Sequence, residues 1–343
     1  MRRMFTRAGA ALLASAWLAA AAQSPAVDAT NAEMAKQQQA QQLSQPLNNQ
    51  PVWSEVRSGA KQYTSIKGRE TDVLIQPEGQ TWRAARVPLA TIGGFLFVAT
   101  LLALLGFYLW RGPIRLRGKP TGRMIERFTL VERVVHWTVA ITFVTLGVTG
   151  LVLTFGKSVL LPLIGYTLFS WLAIIAKNLH NFVGPVLVVV LPIMIVLFMR
   201  ANLFNARDWE WLKKGGGMLT GEHVPANKAN AGQKILFWSM VVVLGLTLCV
   251  TGLILDFPNF DQTRQTMQIA NVVHLIAGVL AVVMVSAHIY LGTVGMPGAY
   301  EAMRDGYVDE TWAKEHHEYW YNEVKAGAIP AAGHEAPMSH RPA

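Results

Sequence analysis

The sequence predicts an all-α membrane protein, a transmembrane helix bundle of four core helices with one additional helix on the N-terminal side. Three observations carry this reading. The 343 residues are 52% hydrophobic and only 15% charged, with a mean hydropathy of +0.30; soluble domains carry about 25% charged residues. Five apolar stretches, at about 89–110, 130–154, 171–199, 235–256 and 270–294, each approach the roughly 20 residues that cross a bilayer as a helix. The basic residues flank these stretches. In hydrocarbon every backbone amide has to be paired within its own segment, so stretches of this length fold as helices.

Residues 1–22 read as a cleaved signal peptide: Arg2, Arg3 and Arg7 precede an apolar run from Ala8 to Ala22, with small residues at Ala20 and Ala22 for cleavage. Residues 23–88 form a polar segment on the outer, periplasmic side. Its first part, through NAEMAKQQQAQQLSQPLNNQ, has the Gln- and Ala-rich composition of a poorly ordered chain. From Val52 to Arg86, YTSIKGRETDVLIQPEGQTWR mixes β-branched residues with Gly68 and Gly79 breaks and predicts a small hairpin-like element. The additional helix follows at 89–110, then a basic loop at 111–129, the four core helices at 130–294, and a C-terminal tail at 295–343.

Flanking charge sets the orientation. Arg111, Arg115, Arg117, Lys119, Arg123 and Arg127 lie between the first two spans, and Arg200, Arg207, Lys213, Lys214, Lys228 and Lys234 between the third and fourth. The other two short loops hold little more than Lys157 and Arg264. Basic short loops stay in the cytoplasm, which places the mature N-terminus outside and the C-terminus inside a bacterial inner membrane. The signal peptide argues independently for the same orientation. The formal net charge of +9 is accounted for by these loops. No nucleic-acid-binding motif accompanies it, so no nucleic-acid partner is expected.

One cysteine, Cys249, excludes an iron–sulfur cluster held by this chain, which needs about four thiolates. The absence of Cys-x-x-Cys-His excludes covalent c-type haem. Histidine remains as the ligand for any redox group. Of nine histidines, His136, His180, His274 and His288 lie within apolar spans; His223, His316, His317, His334 and His340 lie in polar loops or the tail. An ionisable residue in a span is costly and marks function by default, although a single histidine serves equally well as a helix–helix hydrogen bond.

Depth sorts the four into two layers. His136 and His288 fall near the cytoplasmic ends of their spans, His180 and His274 in the outer halves. His274 and His288 are 14 residues apart on one helix, about 21 Å along its axis and nearly four whole turns, so both project from one face. Two ligands that far apart cannot share a zinc or copper ion. Two bis-histidine haems fit better, with His136 and His288 on the inner haem and His180 and His274 on the outer. Bis-histidine ligation fills both axial positions and suits one-electron transfer. Gly147 and Gly150 follow His136, Gly184 follows His180, and Gly278 and Gly292 follow His274 and His288. Glycine lets a helix approach a flat macrocycle, and equally serves ordinary helix packing. Lys177, one turn before His180, reaches either a haem propionate or the interface.

RFTLVERVVHWTVAITFVTLGVTGL, NLHNFVGPV, NAGQKILFWSMVVVLGLTLCVTGLIL, VVHLIAG, SAHIYLG and the tail TWAKEHHEYWYNE resemble the gamma subunit, a cytochrome b, of respiratory formate dehydrogenases. The resemblance covers about residues 124–325. It implies two haem b groups, held by His136 with His288 and by His180 with His274, as depth also suggests. It implies an iron–sulfur beta subunit and a molybdenum- or tungsten-containing alpha subunit as partners on the outer side, the latter oxidising formate. It further implies quinone reduction on the cytoplasmic side, with Asn230 and Gln233 of the NAGQK loop at the quinone; a side-chain amide hydrogen-bonds a quinone carbonyl, and Asn230 also suits a helix cap. The leader, the Gln-rich segment and the first span are an extension found in longer gamma subunits. A related di-haem anchor of a hydrogenase or thiosulfate reductase is the alternative, and a non-redox transporter or anchor a more remote one.

Overall fold

In a computed structural model of the chain, the described residues are 77–327, apart from 218, 219 and 261, with a few isolated positions between 36 and 58. The signal peptide, all but two positions of the Gln-rich segment, and residues 63–76 of the expected hairpin lie outside them. Five described helices are long and apolar enough to cross a membrane: α1 (Pro77–Arg111), α2 (Leu130–Val159), α3 (Leu161–Met199), α5 (Ala231–Asp256) and α6 (Arg264–Tyr290). Between α3 and α5 lies a short helix, α4 (Ala206–Lys213).

The hairpin expectation fails where it can be seen. PEGQTWR forms the first turns of α1, because proline is well placed at a first helical position and the following Gln-Thr-Trp-Arg-Ala-Ala-Arg run holds no breaker. The third span starts earlier than its apolar core suggests, with one turn broken at Gly165 (φ 74°, ψ 172°), a conformation that glycine adopts freely. The helix α5 carries π-type turns over Phe237–Leu244, and α6 continues into a π-type turn at Leu291–Gly295. Such turns are rare and cluster at functional sites.

Helix α2 lies along α3, α5 against both α3 and α6, and α1 against α6. Helix α6 thus leans on α5 and α1 and stands largely apart from α2 and α3. The bundle core is the buried set Val139, Phe143, Leu187, Leu191, Phe237 and Met240 with its neighbours. Outward-facing Phe95, Ile141, Phe182, Val196 and Val243 are exposed, as suits lipid contact.

The basic loop and the C-terminal tail are not independent appendages. Strand β1 (Met124–Glu126) pairs antiparallel with β2 (Tyr307–Asp309), Ile125 opposite Val308. With α7 (Ala299–Asp305), α8 (Glu310–His316) and α9 (Glu318–Lys325) they build a cap on the basic end of the bundle. Its own core is Ile125, Ala302, Val308, Trp312, Ala313 and Trp320. Two further groups tie it together. Glu310, 5% exposed, is held by Arg123 at 2.6 Å and by Lys325. Arg127, 3% exposed, donates to Lys228 O at 3.0 Å and to His317 Nε2 at 2.7 Å, and lies over the Trp312 ring. His317 Nδ1 donates to Asn227 O, so its tautomer is fixed with Nε2 as acceptor.

Candidate haem-ligand pairs

Local sequence sets the ends of the helices that carry the histidines. Helix α2 opens with a capping box, Thr129 accepting from Glu132 N and Glu132 accepting from Thr129 N. Lys228 Nζ reaches Glu132 Oε1 at 3.0 Å, and Trp137 Nε1 donates to Met303 O at 3.1 Å. The first bond ties the start of α2 to the loop ahead of α5 and the second ties it to the cap, both within one turn of His136.

The structure brings His136 on α2 to His288 on α6, with ring centres 6.2 Å apart and planes at 62°. It brings His180 on α3 to His274 on α6, again 6.2 Å apart, with planes at 73°. Each pair bridges the gap where α6 stands off its neighbours. The separation tests whether a metal fits between the rings. Two metal–imidazole bonds of about 2 Å, with about 1.1 Å from each nitrogen to its ring centre, give about 6.2 Å for a collinear arrangement. Both pairs meet that value. Direct hydrogen bonding between the rings would bring them closer. Among the described residues, no group of three or more His, Cys, Asp or Glu is placed to hold a metal ion.

The environments of the two pairs differ. At the end away from the cap, His180 Nδ1 meets Thr149 Oγ1 at 2.8 Å and His274 Nδ1 meets Thr251 Oγ1 at 2.9 Å. A Cβ on Gly150 would lie 3.4 Å from His180 Cε1, and one on Gly252 3.5 Å from His274 Cε1. At the basic end, His136 Nδ1 is buried without a protein partner. His136 and His288 line a cavity of about 1730 Å³ that runs between the bundle and the cap, which is why the His288 ring keeps open space beside it although it sits between helices. Ligand pockets usually measure about 300–1,000 Å³, so this one has room for more than one bound group.

Asn230 and Gln233 line the same cavity. Both act in a capping box at the start of α5: Asn230 Oδ1 accepts from Gln233 N at 2.9 Å and Gln233 Oε1 from Asn230 N at 3.0 Å. Each oxygen thus accepts one backbone N–H, while the amide N–H groups, which the capping box does not use, can donate into the cavity. Lys234 closes this turn by an ion pair with Asp208 of α4, both side chains at most 5% exposed. His316 also lines the cavity, its Nε2 buried and unpartnered. Burial and the Arg127 charge press its pKa down to about 4 and that of His317 well below the ordinary value. Burial alone lowers Arg127 to about 9.

Of the five glycines singled out in the sequence, Gly150 touches an imidazole. Gly147 and Gly278 meet Val282 and Leu248, and a Cβ on Gly184 or Gly292 would meet no protein atom within 4 Å. Lys177 is exposed. Sequence reasoning missed Thr149, Thr251 and Gly252. Their signal was present as a repeated phrase, VTGLVL at 148–153 and VTGLIL at 250–255.

The chain resembles several known proteins. The chain is 33% identical over 210 residues to the formate dehydrogenase cytochrome b556(fdo) subunit of Escherichia coli (strain K12), covering 59% of this chain and 93% of that protein. It is 32% identical over 214 residues to the nitrate-inducible formate dehydrogenase cytochrome b556(Fdn) subunit of the same organism, with the same coverage. It is 29% identical over 210 residues to the formate dehydrogenase cytochrome b556 subunit of Haemophilus influenzae, covering 58% of this chain and 83% of that protein. The family model of prokaryotic cytochrome b561 matches residues 127–306, a stretch whose two ends meet in the bond from Arg127 N to Gly306 O and which holds all four span histidines; the chain, an integral membrane protein, belongs to that cytochrome family.

Proposed function

We propose that this chain is the membrane-anchor cytochrome b subunit of a formate dehydrogenase, linking an iron–sulfur subunit on the periplasmic side to a quinone on the cytoplasmic side. The observation that carries the reading is the pair of imidazole pairs, both with ring centres 6.2 Å apart and about 21 Å apart along α6. His136 with His288 would hold one b haem, and His180 with His274 a second. Bound there, the haems supply one-electron transfer across the bilayer. The relatives' names support formate dehydrogenase over a hydrogenase or thiosulfate reductase. The catalytic subunit that oxidises formate on a molybdenum or tungsten centre is then a partner, and the substrate never touches this chain.

The basic end of the bundle is cytoplasmic, because Arg111, Arg115, Arg117 and Lys119 join α1 to the cap there. Quinone enters the cavity beside His288, where Asn230 and Gln233 donate amide N–H groups to its carbonyl oxygens. The cap closes the far side of that cavity with Trp312, His316 and Tyr321.

The test is purification with partners in mild detergent, identification of those partners by mass spectrometry, and reduced-minus-oxidised spectra. His180→Ala or His274→Ala should remove one b haem, and His136→Ala or His288→Ala the other. A wild-type complex without a Soret band, or one holding both haems after His274→Ala, refutes the ligand assignment. Asn230→Asp keeps the capping acceptor but removes the N–H donor. It should raise the quinone KM while leaving both haems bound; an unchanged KM removes Asn230 from the quinone site.

A further inference from the structure

The duplicated phrase VTGLVL and VTGLIL places a threonine and a glycine at equivalent points of α2 and α5. Each grips the histidine of the next long helix along the chain. The hydroxyl protons can be placed. Thr149 Oγ1 lies 2.8 Å from Thr145 O, and Thr251 Oγ1 lies 2.6 Å from Thr247 O. A carbonyl only accepts, and a hydroxyl has one proton, so each threonine donates backward along its own helix. What it offers the ring is a lone pair, and the Nδ1 of His180 and of His274 must carry the proton that fills it. The tautomer follows: Nδ1 protonated, Nε2 free to ligate. Both threonines are buried, at 5% and 7% exposure, so water does not compete for the bond.

We propose that Thr149 and Thr251 are positioning residues for the haem between His180 and His274, locking ring tautomer and plane and holding that haem at a lower potential than its counterpart. The inference rests on the reading of those two histidines as axial ligands. A hydrogen bond donated from Nδ1–H raises the basicity of the ligating nitrogen, which favours ferric over ferrous iron; second-shell bonding is one of the protein's levers on haem potential. His136, whose Nδ1 has no protein partner, lacks this bond. The difference makes transfer from the Thr-gripped pair towards the cap end downhill.

The experiment uses the complex purified with its partners, as wild type and as Thr149→Val, Thr251→Val, Thr149→Ser and Thr251→Ser. Optical redox titration and the low-spin ferric EPR signal are read for each haem. Each valine should shift the ferric/ferrous equilibrium of one haem about tenfold towards ferrous, a rise of about 59 mV for one electron, and alter its EPR signal while the other haem stays put. The serines should restore wild-type values. Valine variants with both haems at unmoved potentials overturn the inference. Should valine cost the haem altogether, the serines decide: haem regained at the wild-type potential supports the hydroxyl's role, and haem lost from the serines too assigns the positions to packing. Retention of both haems after His180→Ala would instead sink the ligand reading itself.

Discussion

Replacing Lys234 with methionine should destabilise the protein by about 3–5 kcal/mol, the cost of leaving one partner of a buried ion pair uncompensated. Lys234 Nζ sits 2.9 and 2.8 Å from the two Asp208 oxygens, with side-chain exposures of 1% and 5%. Methionine keeps most of the stem's volume, so the loss is chiefly of charge. Asp208 would retain one bond, from Asn205 N at 2.7 Å, which favours the lower half of that range. For a domain of about 150–250 residues each kcal/mol moves Tm by about 2–4 °C, so Tm should fall by roughly 6–15 °C. Tryptophan fluorescence and Soret absorbance, followed on one heating ramp in detergent, read the global and local transitions together. Because the pair clamps α4 onto the turn that carries Asn230 and Gln233, local opening should precede haem loss. Lys234→Met with Asp208→Leu removes both charges and should recover most of the loss, short of about 1 kcal/mol for the weakened cap of α4. A single variant within about 2 °C of wild type, or a double variant worse than the single, refutes the reasoning.

The cap should loosen in acid. Folded His316 resists protonation down to about 4 and His317 further still, whereas unfolded rings protonate near 6.5. The neutral-ring contribution is therefore complete above about pH 6.5 and falls by up to about 1.4 kcal/mol per ring for each unit below it. Amide exchange across Glu310–Lys325, corrected for intrinsic rates, should be faster at pH 5.5 than at 7.5; equal or slower exchange contradicts it. Gly306→Ala should cost about 1–3 kcal/mol at the seam between cap and bundle, because φ is +94° and a Cβ would lie 2.7 Å from Phe128 O; urea melts followed by intrinsic fluorescence measure this. Gly93→Leu should push α1 off α6, since a Cβ alone would lie 2.7 Å from Val279 Cγ2. Both haem EPR signals should then broaden, and unchanged spectra would show that α1 does not brace the site.

The sequence revealed most where the physical demand on it is severe. A bilayer fixes span length and punishes buried imidazoles, so five spans and four special histidines stood out from the text, and depth along the spans was enough to suggest partners. The cap was invisible because its strands have three residues each and lie about 180 positions apart, too short for periodicity to register. The loop and tail read as polar connections, when in fact Trp312 and Trp320 give them a core. PEGQTWR misled because a proline and a glycine signal a turn as readily as a helix start. Asn230 and Gln233 were visible as amides able to bond a quinone carbonyl, and Asn230 also as a helix cap. Only the structure shows both side chains joined in one capping box, each oxygen accepting a backbone N–H. Thr149 and Thr251 were passed over because a threonine in an apolar helix most often bonds only to its own backbone.

One helix governs both pairs. Because α6 carries His274 and His288, their separation of about 21 Å is set by helical rise alone, and any tilt or shift of α6 changes both ring-to-ring gaps at once. Precision of about 0.5 Å is what a preorganised site requires. The chain secures it from two sides. Ala277 and Ala281, 3% and 0% exposed, lie between the two histidines and let α6 seat closely in the bundle. Gly93 of α1 lets that additional helix close on Val279 at the same level, and Arg86 of α1 bonds Asn271 at 3.0 Å, one turn before His274. The helix added ahead of the cytochrome core therefore braces the arm on which both pairs depend, which ties an extension with no histidine of its own to the geometry of the proposed haem sites.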